Sequence, residues 1–334
     1  MENILEVKDL VVHYHTDDGI VEAINLLNLT LEKGQTLGLV GETGAGKTTL
    51  AKSIMGLIPN PPGKVMNGSI KFNSQELLTH TEQEMRHVRG KKISMIFQDP
   101  MTSLNPVMPV GEQISEVIQN HENLSKSKAL EKASEMLELV GIPAERINEY
   151  PHQFSGGMKQ RVIIAIALSC NPELLIADEP TTALDVTIQA QVLNMMKKLK
   201  RQFNMSMLLI THDLGVVAQT CDHVAIMYAG EIIEYGSLRE IFKSPKHPYT
   251  IGLFGSIPSL VETVERLSPV KGEIPDPTDL PLGCNFCTRC NYVTDQCREK
   301  NPQMIEMNEN HQVRCFMIEN QLRKEGAYDI NRTT

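Results

Sequence analysis

The chain has 334 residues, of which 41% are hydrophobic, enough for a sizeable core and for more than one domain or subdomain. A formal net charge of -9 excludes a globally basic surface, so nucleic acid is not an expected partner. There is no basic, apolar, small-residue signal pattern and no apolar run of about 18 residues, so neither secretion nor a membrane span is expected and the chain reads as cytoplasmic. In such a reducing compartment its seven cysteines point to metal ligands or buried thiols rather than disulfides.

The first sixty residues read as β-rich. "ILEVKDLVVHY" and "EAINLLNLTL" carry strand-like apolar runs. "QTLGLV" is a short apolar strand leading into "GETGAGKTTL" and a helical "AKSIMGLI", which makes strand, glycine loop, helix. Gly41 to Thr48 fits G-x-x-x-x-G-K-[ST] in the context that motif requires. Small residues let backbone N–H groups converge on phosphate oxygens at a helix N-terminus, Lys47 reaches the β and γ phosphates, and the Thr48 hydroxyl can ligate Mg²⁺.

Further on, "VGEQISEVIQNH" and "KSKALEKASEMLELVGI" place apolar residues at helical spacing. The methionines among them read as core and interface filling. "GIPAERINEYPHQFS" is punctuated by proline and glycine and reads as a connection. "FSGGMKQR" opens a helical "MKQRVIIAIALSC"; in isolation Ser155, Gly156 and Gly157 fit an ordinary Ser-Gly helix start equally well. "ELLIADEP" is a buried parallel strand ending in two acids. In a phosphate-loop fold Asp178 would hold Mg²⁺ and Glu179 would polarise an attacking water, although paired acids after a strand also suit a solvated turn. Cys170 and Cys221 read as buried structural thiols.

After about residue 235, "KSPKHPYTIGLFGSIPSL" and "VKGEIPDPTDLP" are proline-rich with little periodicity, suggesting an extended segment laid across the core. Then "GCNFCTRCNYVTDQC" supplies Cys284, Cys287, Cys290 and Cys297, with Cys315 following. The C-x-x-C spacing suits a structural zinc site; the C-x-x-C-x-x-C start also matches bacterial ferredoxin spacing, without the cysteine-proline that should follow.

The ordered set "GETGAGKTT", "FQDP", "FSGGMKQR", "LLIADEPTTALD" and "LLITHD" resembles the nucleotide-binding domain of ABC transporters across residues 1–240. The fold this implies is α/β: a phosphate-loop (RecA-like) ABC nucleotide-binding domain with a helical subdomain at 99–154 and a small cysteine-rich C-terminal extension at 241–334. The resemblance makes Gly41, Glu42, Thr43, Gly44, Ala45, Gly46, Lys47, Thr48 and Thr49 the ATP cradle, with Thr48, Gln98 and Asp178 around Mg²⁺. It implies Gln98 as the link between Mg²⁺, attacking water and membrane partner, Glu179 as the catalytic acid of the pair, and His212 as the switch histidine at the γ-phosphate. Asp185 falls in the loop that communicates between protomers, and Ser155, Gly156 and Gly157 form the signature that caps ATP on the opposite protomer. Tyr14 resembles the aromatic that stacks on adenine, while a tyrosine on a strand also suits plain packing. ATP would then clamp a dimer that hydrolysis releases.

"HPYTIGLFGSIPSL", the proline run, the cysteines and "FQDPMTSLNP" further resemble the ATPase subunits of bacterial dipeptide and oligopeptide importers. That implies import of peptides, or of a relative such as nickel. The partners implied are a second ABC ATPase subunit, identical or paralogous, two transmembrane permease subunits, and an external solute-binding protein acting through them, with the chain peripheral on the cytoplasmic face of the inner membrane. The same resemblance makes Cys284, Cys290, Cys297 and Cys315 ligands of a [4Fe-4S] cluster, with zinc as the alternative and Cys287 as a spare or substitute thiol. Such a centre would staple a tail with little core of its own. A soluble ABC ATPase, or one whose tail senses metal or redox state, remains the competing reading.

Overall fold

The computed structural model describes residues 2–98, 103–182, 184–255 and 270–325. Of the stretches quoted above, residues 99–102, 183 and 256–269 lie outside them.

The N-terminal strands β1 (Asn3–Thr16) and β2 (Gly19–Glu32) pair antiparallel through a two-residue turn, and β4 (Gly63–Phe72) and β5 (Gln75–Glu76) complete a four-stranded sheet in the order β2-β1-β4-β5. Residues at alternating positions, such as Leu5, Val7, Leu27, Leu29 and Leu31, turn one face of this sheet inward.

Among the described residues the second sheet has eight strands, in the order β11 (Ile305–Asn308), β12 (His311–Val313), β10 (Glu231–Ser237), then β9, β3, β8, β7 and β6, whose ranges follow. Its parallel part comprises β3 (Thr36–Val40), β6 (Ile93–Ile96), β7 (Leu174–Asp178), β8 (Ser206–Ile210) and β9 (His223–Tyr228), with β6 at the edge. Every residue of β3, β7 and β8 is buried, which is why their sequences run apolar without alternation: both faces are covered. One face joins Leu37, Leu39, Ile176, Ile210 and Met227 to the small sheet. The other gathers Leu175, Leu209, Val224 and Ile226 with the helices.

Helices α1 (Lys47–Ile54) and α2 (Glu82–Val88) pack on the first of these faces, whereas α3 (Val110–Glu122), α4 (Lys126–Leu139), α5 (Gly156–Leu168), α6 (Val186–Gln202) and α7 (Leu214–Thr220) pack on the second. Val110, Ile114 and Ile118 on α3 face Ala129, Ala133 and Leu137 on α4, following the helical spacing of their apolar residues. Local chemistry fixes the starts. The side chains of Ser125, Ser155, Asp185 and Asp213 each accept a backbone N–H from the first turn of the helix they precede.

Of the proline-rich residues after 235, the stretch 270–281 follows the course expected of it, without helix or strand, but residues 238–255 do not. Strand β10 (Glu231–Ser237) runs into α8 (Leu238–Lys243) and then α9 (Pro248–Gly255), where proline occupies a first helical position that has no N–H to lose. Beyond Cys290 come α10 (Asp295–Glu299), which carries Cys297, and the hairpin β11 (Ile305–Asn308) and β12 (His311–Val313), which precedes Cys315, and β12 pairs with β10. The C-terminal residues therefore extend the main sheet, ending in α11 (Phe316–Lys324). Buried Glu234 fixes the join: it accepts the N–H groups of Lys246 and His247 at 2.7 and 2.9 Å and lies 2.7 Å from His311 Nε2. Among the described residues no helix is long and apolar enough to cross a membrane.

Candidate functional site

Strand β3 delivers the chain into a loop that turns sharply onto α1. Gly46 has φ of 103°, a left-handed conformation, and a Cβ there would lie 2.5 Å from the Ala23 carbonyl oxygen, so only glycine fits both the torsion and the space. Within the loop the Lys47 ammonium donates to the carbonyl oxygens of Gly41 and Glu42 at 2.8 and 2.9 Å. Burial pushes the Lys47 pKa below its ordinary value, against the raising influence of Glu179, Asp178 and Glu42.

At the carboxyl end of β7, Asp178 accepts a hydrogen bond from the Thr48 hydroxyl at 2.8 Å. Burial raises the Asp178 pKa, with the Thr48 bond opposing. Hydroxyl and carboxylate oxygens side by side are hard donors of the kind Mg²⁺ accepts, so these residues fit that ion.

The next residue, Glu179, takes φ of 48°, a left-handed torsion that costs on the order of 1–3 kcal/mol for a residue with a side chain. That torsion accompanies an unusual convergence. Thr182 Oγ1 donates to Glu179 Oε2 at 2.9 Å, Gln98 Nε2 donates to the same oxygen at 3.2 Å, and His212 Nδ1 lies 2.9 Å from Oε1. Burial works against ionisation of Glu179, but the bonds from His212 and Thr182 outweigh it and hold the carboxyl below its usual pKa. A carboxylate so held is ionised at neutral pH and can accept a proton.

A cavity of about 260 Å³ is lined by Tyr14, Val21, Ala23, Thr43, Gly44, Gly46, Lys47, Thr48, Thr49, Gln98, Glu179 and Pro277. The expected cradle, acid and aromatic residues thus share one space, with Asp178 and His212 bonded to its walls. Gly41, Glu42 and Ala45 belong to the same loop without lining the cavity. A wider groove of about 640 Å³ beside α2 contains none of them. Ser155, Gly156, Gly157 and Asp185 do not line the cavity either: Ser155 and Asp185 cap α5 and α6.

The cysteines behave differently from expectation. Cys284, Cys287, Cys290, Cys297 and Cys315 all line one small cavity of about 20 Å³, walled by Phe286, Tyr292, Phe316 and Met317. Yet among the described residues no three His, Cys, Asp or Glu side chains are arranged to hold a metal ion, so the expected [4Fe-4S] cluster, like its zinc alternative, finds no preformed ligand set. Burial pushes the Cys284 thiol up to about 12 and raises Cys287, Cys290 and Cys315 as well, which disfavours free thiolates.

Several neighbours of the site escaped the sequence reading. Pro277 lines the cavity from the C-terminal region, and its carbonyl accepts the Glu22 N–H at 2.8 Å. Tyr249 and Arg289 bond Glu42 from 207 and 247 residues away. No local pattern announces such contacts; only the fold creates them.

Comparison with known proteins agrees with this geometry. Residues 24–182 match the ABC transporter family, and residues 233–297 match the oligopeptide/dipeptide transporter C-terminal region. The chain is 52% identical to the oligopeptide transport ATP-binding protein OppD of Bacillus subtilis, over 94% of this chain and 89% of that one. It is 48% identical to the dipeptide transport ATP-binding protein DppD of the same organism, over 95% of each. Among solved structures, the dimeric post-hydrolysis state of the ATP-binding cassette MJ0796 bound to ADP and Pi superposes with a TM-score of 0.63 at 26% identity, covering 70% of this chain and 99% of that one.

Proposed function

This chain belongs to the ATP-binding subunits of the peptide-transporting ABC family, and from that premise we propose that it powers import of di- or oligopeptides by ATP-driven closure of a dimer. It is an ATPase, and the meeting of Lys47, Thr48, Asp178, Glu179, Gln98 and His212 around one cleft carries the reading. The relatives' names favour peptides over nickel.

ATP would lie with its base toward Tyr14 and Val21 and its phosphates over the N-terminus of α1, where free N–H groups and the helix dipole favour negative charge. Lys47 exchanges the carbonyls of Gly41 and Glu42 for β- and γ-phosphate oxygens. Thr48 and Asp178, with Gln98, would hold Mg²⁺. Held there, the ion would supply positive charge against that developing on the phosphates. Gln98 and Glu179 orient a water; its oxygen bonds to the γ-phosphorus, the bond to the ADP oxygen breaks, and its proton passes to Glu179. His212 keeps Glu179 placed and reaches the γ-phosphate.

Ser155, Gly156 and Gly157 would serve ATP on a partner subunit, with Asp185 relaying between protomers. Their absence from this chain's own cleft, and the dimeric state of the similar cassette, support that arrangement. Two permease subunits would receive the motion, with a binding protein delivering peptide on the far side and this chain peripheral on the cytoplasmic face. The cysteines complete the proposal. A [4Fe-4S] cluster at Cys284, Cys290, Cys297 and Cys315 would require the sulfurs that share this cavity to rearrange into a ligand set, and its role would be to staple the C-terminal region. Purification of the intact complex tests the assignment: co-isolation of permeases with a peptide-loaded binding protein supports it, and recovery of the chain without membrane subunits under gentle extraction contradicts it.

A further inference from the structure

Glu42, the second residue of the phosphate loop, is gripped at three points. Its N–H donates to the Tyr249 hydroxyl at 3.1 Å, its carbonyl accepts from Lys47 at 2.9 Å, and its carboxylate meets Arg289 in a two-pronged pair. In that pair Arg289 Nη1 donates to Oε2 at 2.8 Å and Nη2 to Oε1 at 3.2 Å, the planar geometry that arginine offers and lysine does not.

The guanidinium is itself immobilised. Nε donates to the Lys271 carbonyl at 3.1 Å, Nη2 to that of Val270 at 3.3 Å, and Nη1 to the Tyr228 hydroxyl at 3.3 Å. Its side chain is only 4% exposed, and it lies 5.7 Å from the centre of the Tyr228 ring. Tyr228, Tyr249 and Phe286 pack against one another with centroids 4.7 to 5.5 Å apart, so the two grips on Glu42 share one aromatic base. Arg289 stands between Cys287 and Cys290 in sequence, and the same C-terminal region supplies Pro277 to the cavity wall.

We propose that Arg289 is a positioning residue for nucleotide binding: through Glu42, the cysteine-bearing C-terminal loop sets the conformation of the phosphate loop. This inference rests on the nucleotide-site reading. A loop already held in its binding conformation loses less freedom when ATP arrives, and preorganisation of that kind appears as affinity. A conformational change of the cysteine loop would therefore be felt at the phosphate loop through one side chain.

The test measures ATP-Mg²⁺ and ADP affinity of the full-length chain by calorimetry, beside its thermal midpoint. For Arg289→Gln and Glu42→Gln the Kd for both nucleotides should rise about tenfold, the consequence of reordering roughly one residue of loop backbone. The double variant should be no worse than either single, because both remove one interaction. Tyr249→Phe, which keeps the ring packing and deletes only the hydroxyl, should raise Kd severalfold with an unchanged midpoint, and it decides the matter if Arg289→Gln proves unstable. Unchanged Kd in folded Arg289→Gln and Tyr249→Phe, or additive losses in the double variant, would overturn the inference alone. A wild-type chain that binds no ATP would overturn the nucleotide site and this inference with it.

Discussion

Replacing Glu179 by glutamine separates chemistry from structure at this site. The carboxylate takes part in three contacts: Oε2 accepts from Thr182 and Gln98, and Oε1 lies beside His212 Nδ1. An amide oxygen at the Oε2 position keeps the first two. The amide NH₂ at the Oε1 position donates to His212 when Nδ1 is the unprotonated nitrogen, so all three bonds survive, and even one loss would remove only about 1 kcal/mol. What disappears is a base able to take the proton of the attacking water. General-base catalysis is worth roughly 10²- to 10⁴-fold, or about 2.7–5.4 kcal/mol of barrier. Single-turnover and steady-state ATPase assays on Glu179→Gln should therefore show kcat reduced by that range with ATP affinity equal to or tighter than wild type, since a negative charge near the γ-phosphate has gone. A kcat within threefold of wild type would refute the base assignment, and loss of ATP binding would refute the claim that the substitution spares the site.

Other outcomes follow from the same contacts. Mixing Ser155→Arg with Lys47→Ala subunits should restore part of the ATPase activity that each lacks alone, because one of the two composite sites in the mixed dimer carries neither change; no rescue in verified homodimeric mixtures speaks against a signature acting in trans. Anaerobically purified protein should contain iron and acid-labile sulfide, which Cys290→Ser or Cys297→Ser removes and Cys287→Ser leaves; one stoichiometric zinc in colourless protein would instead establish the alternative metal. Cys221, buried beneath β3, has its thiol pushed up to about 12 by burial. The folded chain then holds that proton while an unfolded thiol near 9 loses it, so stability is intact below about pH 9 and falls as pH rises toward 12. Chemical denaturation of Cys221→Ala should lose on the order of 2 kcal/mol less than wild type between roughly pH 8.5 and 10.5, and parallel pH profiles would contradict the assignment.

Much of the site was legible because its chemistry is local. Gly41 to Thr48, the acids of "ADEP" and the helix start at Ser155 each depend on a few consecutive residues, although the left-handed torsion of Glu179 runs against what its residue type favours. Even the buried parallel strands β3 and β7 announced themselves by unbroken apolar runs. The C-terminal region was opaque for the opposite reason. Proline density suggested an extended course, yet β12 finds an open sheet edge at β10 and Glu234 finds His311, contacts that tertiary pairing alone creates. Arg289 is invisible for the same reason, because its partner Glu42 lies at the other end of the chain. The cysteines were legible as a group that shares a cavity, whereas spacing gave no means of telling whether their sulfurs stand ready for a metal.

ATP-dependent peptide uptake by the reconstituted transporter tests the central claim most directly. The chain, its partner ATPase and the permeases would be placed in liposomes, with the binding protein and labelled peptide on the outside and ATP-Mg²⁺ enclosed. The expected result is accumulation of peptide that requires ATP and collapses when Glu179→Gln replaces the wild-type chain. Equal accumulation without ATP, or with the substituted chain, would contradict it.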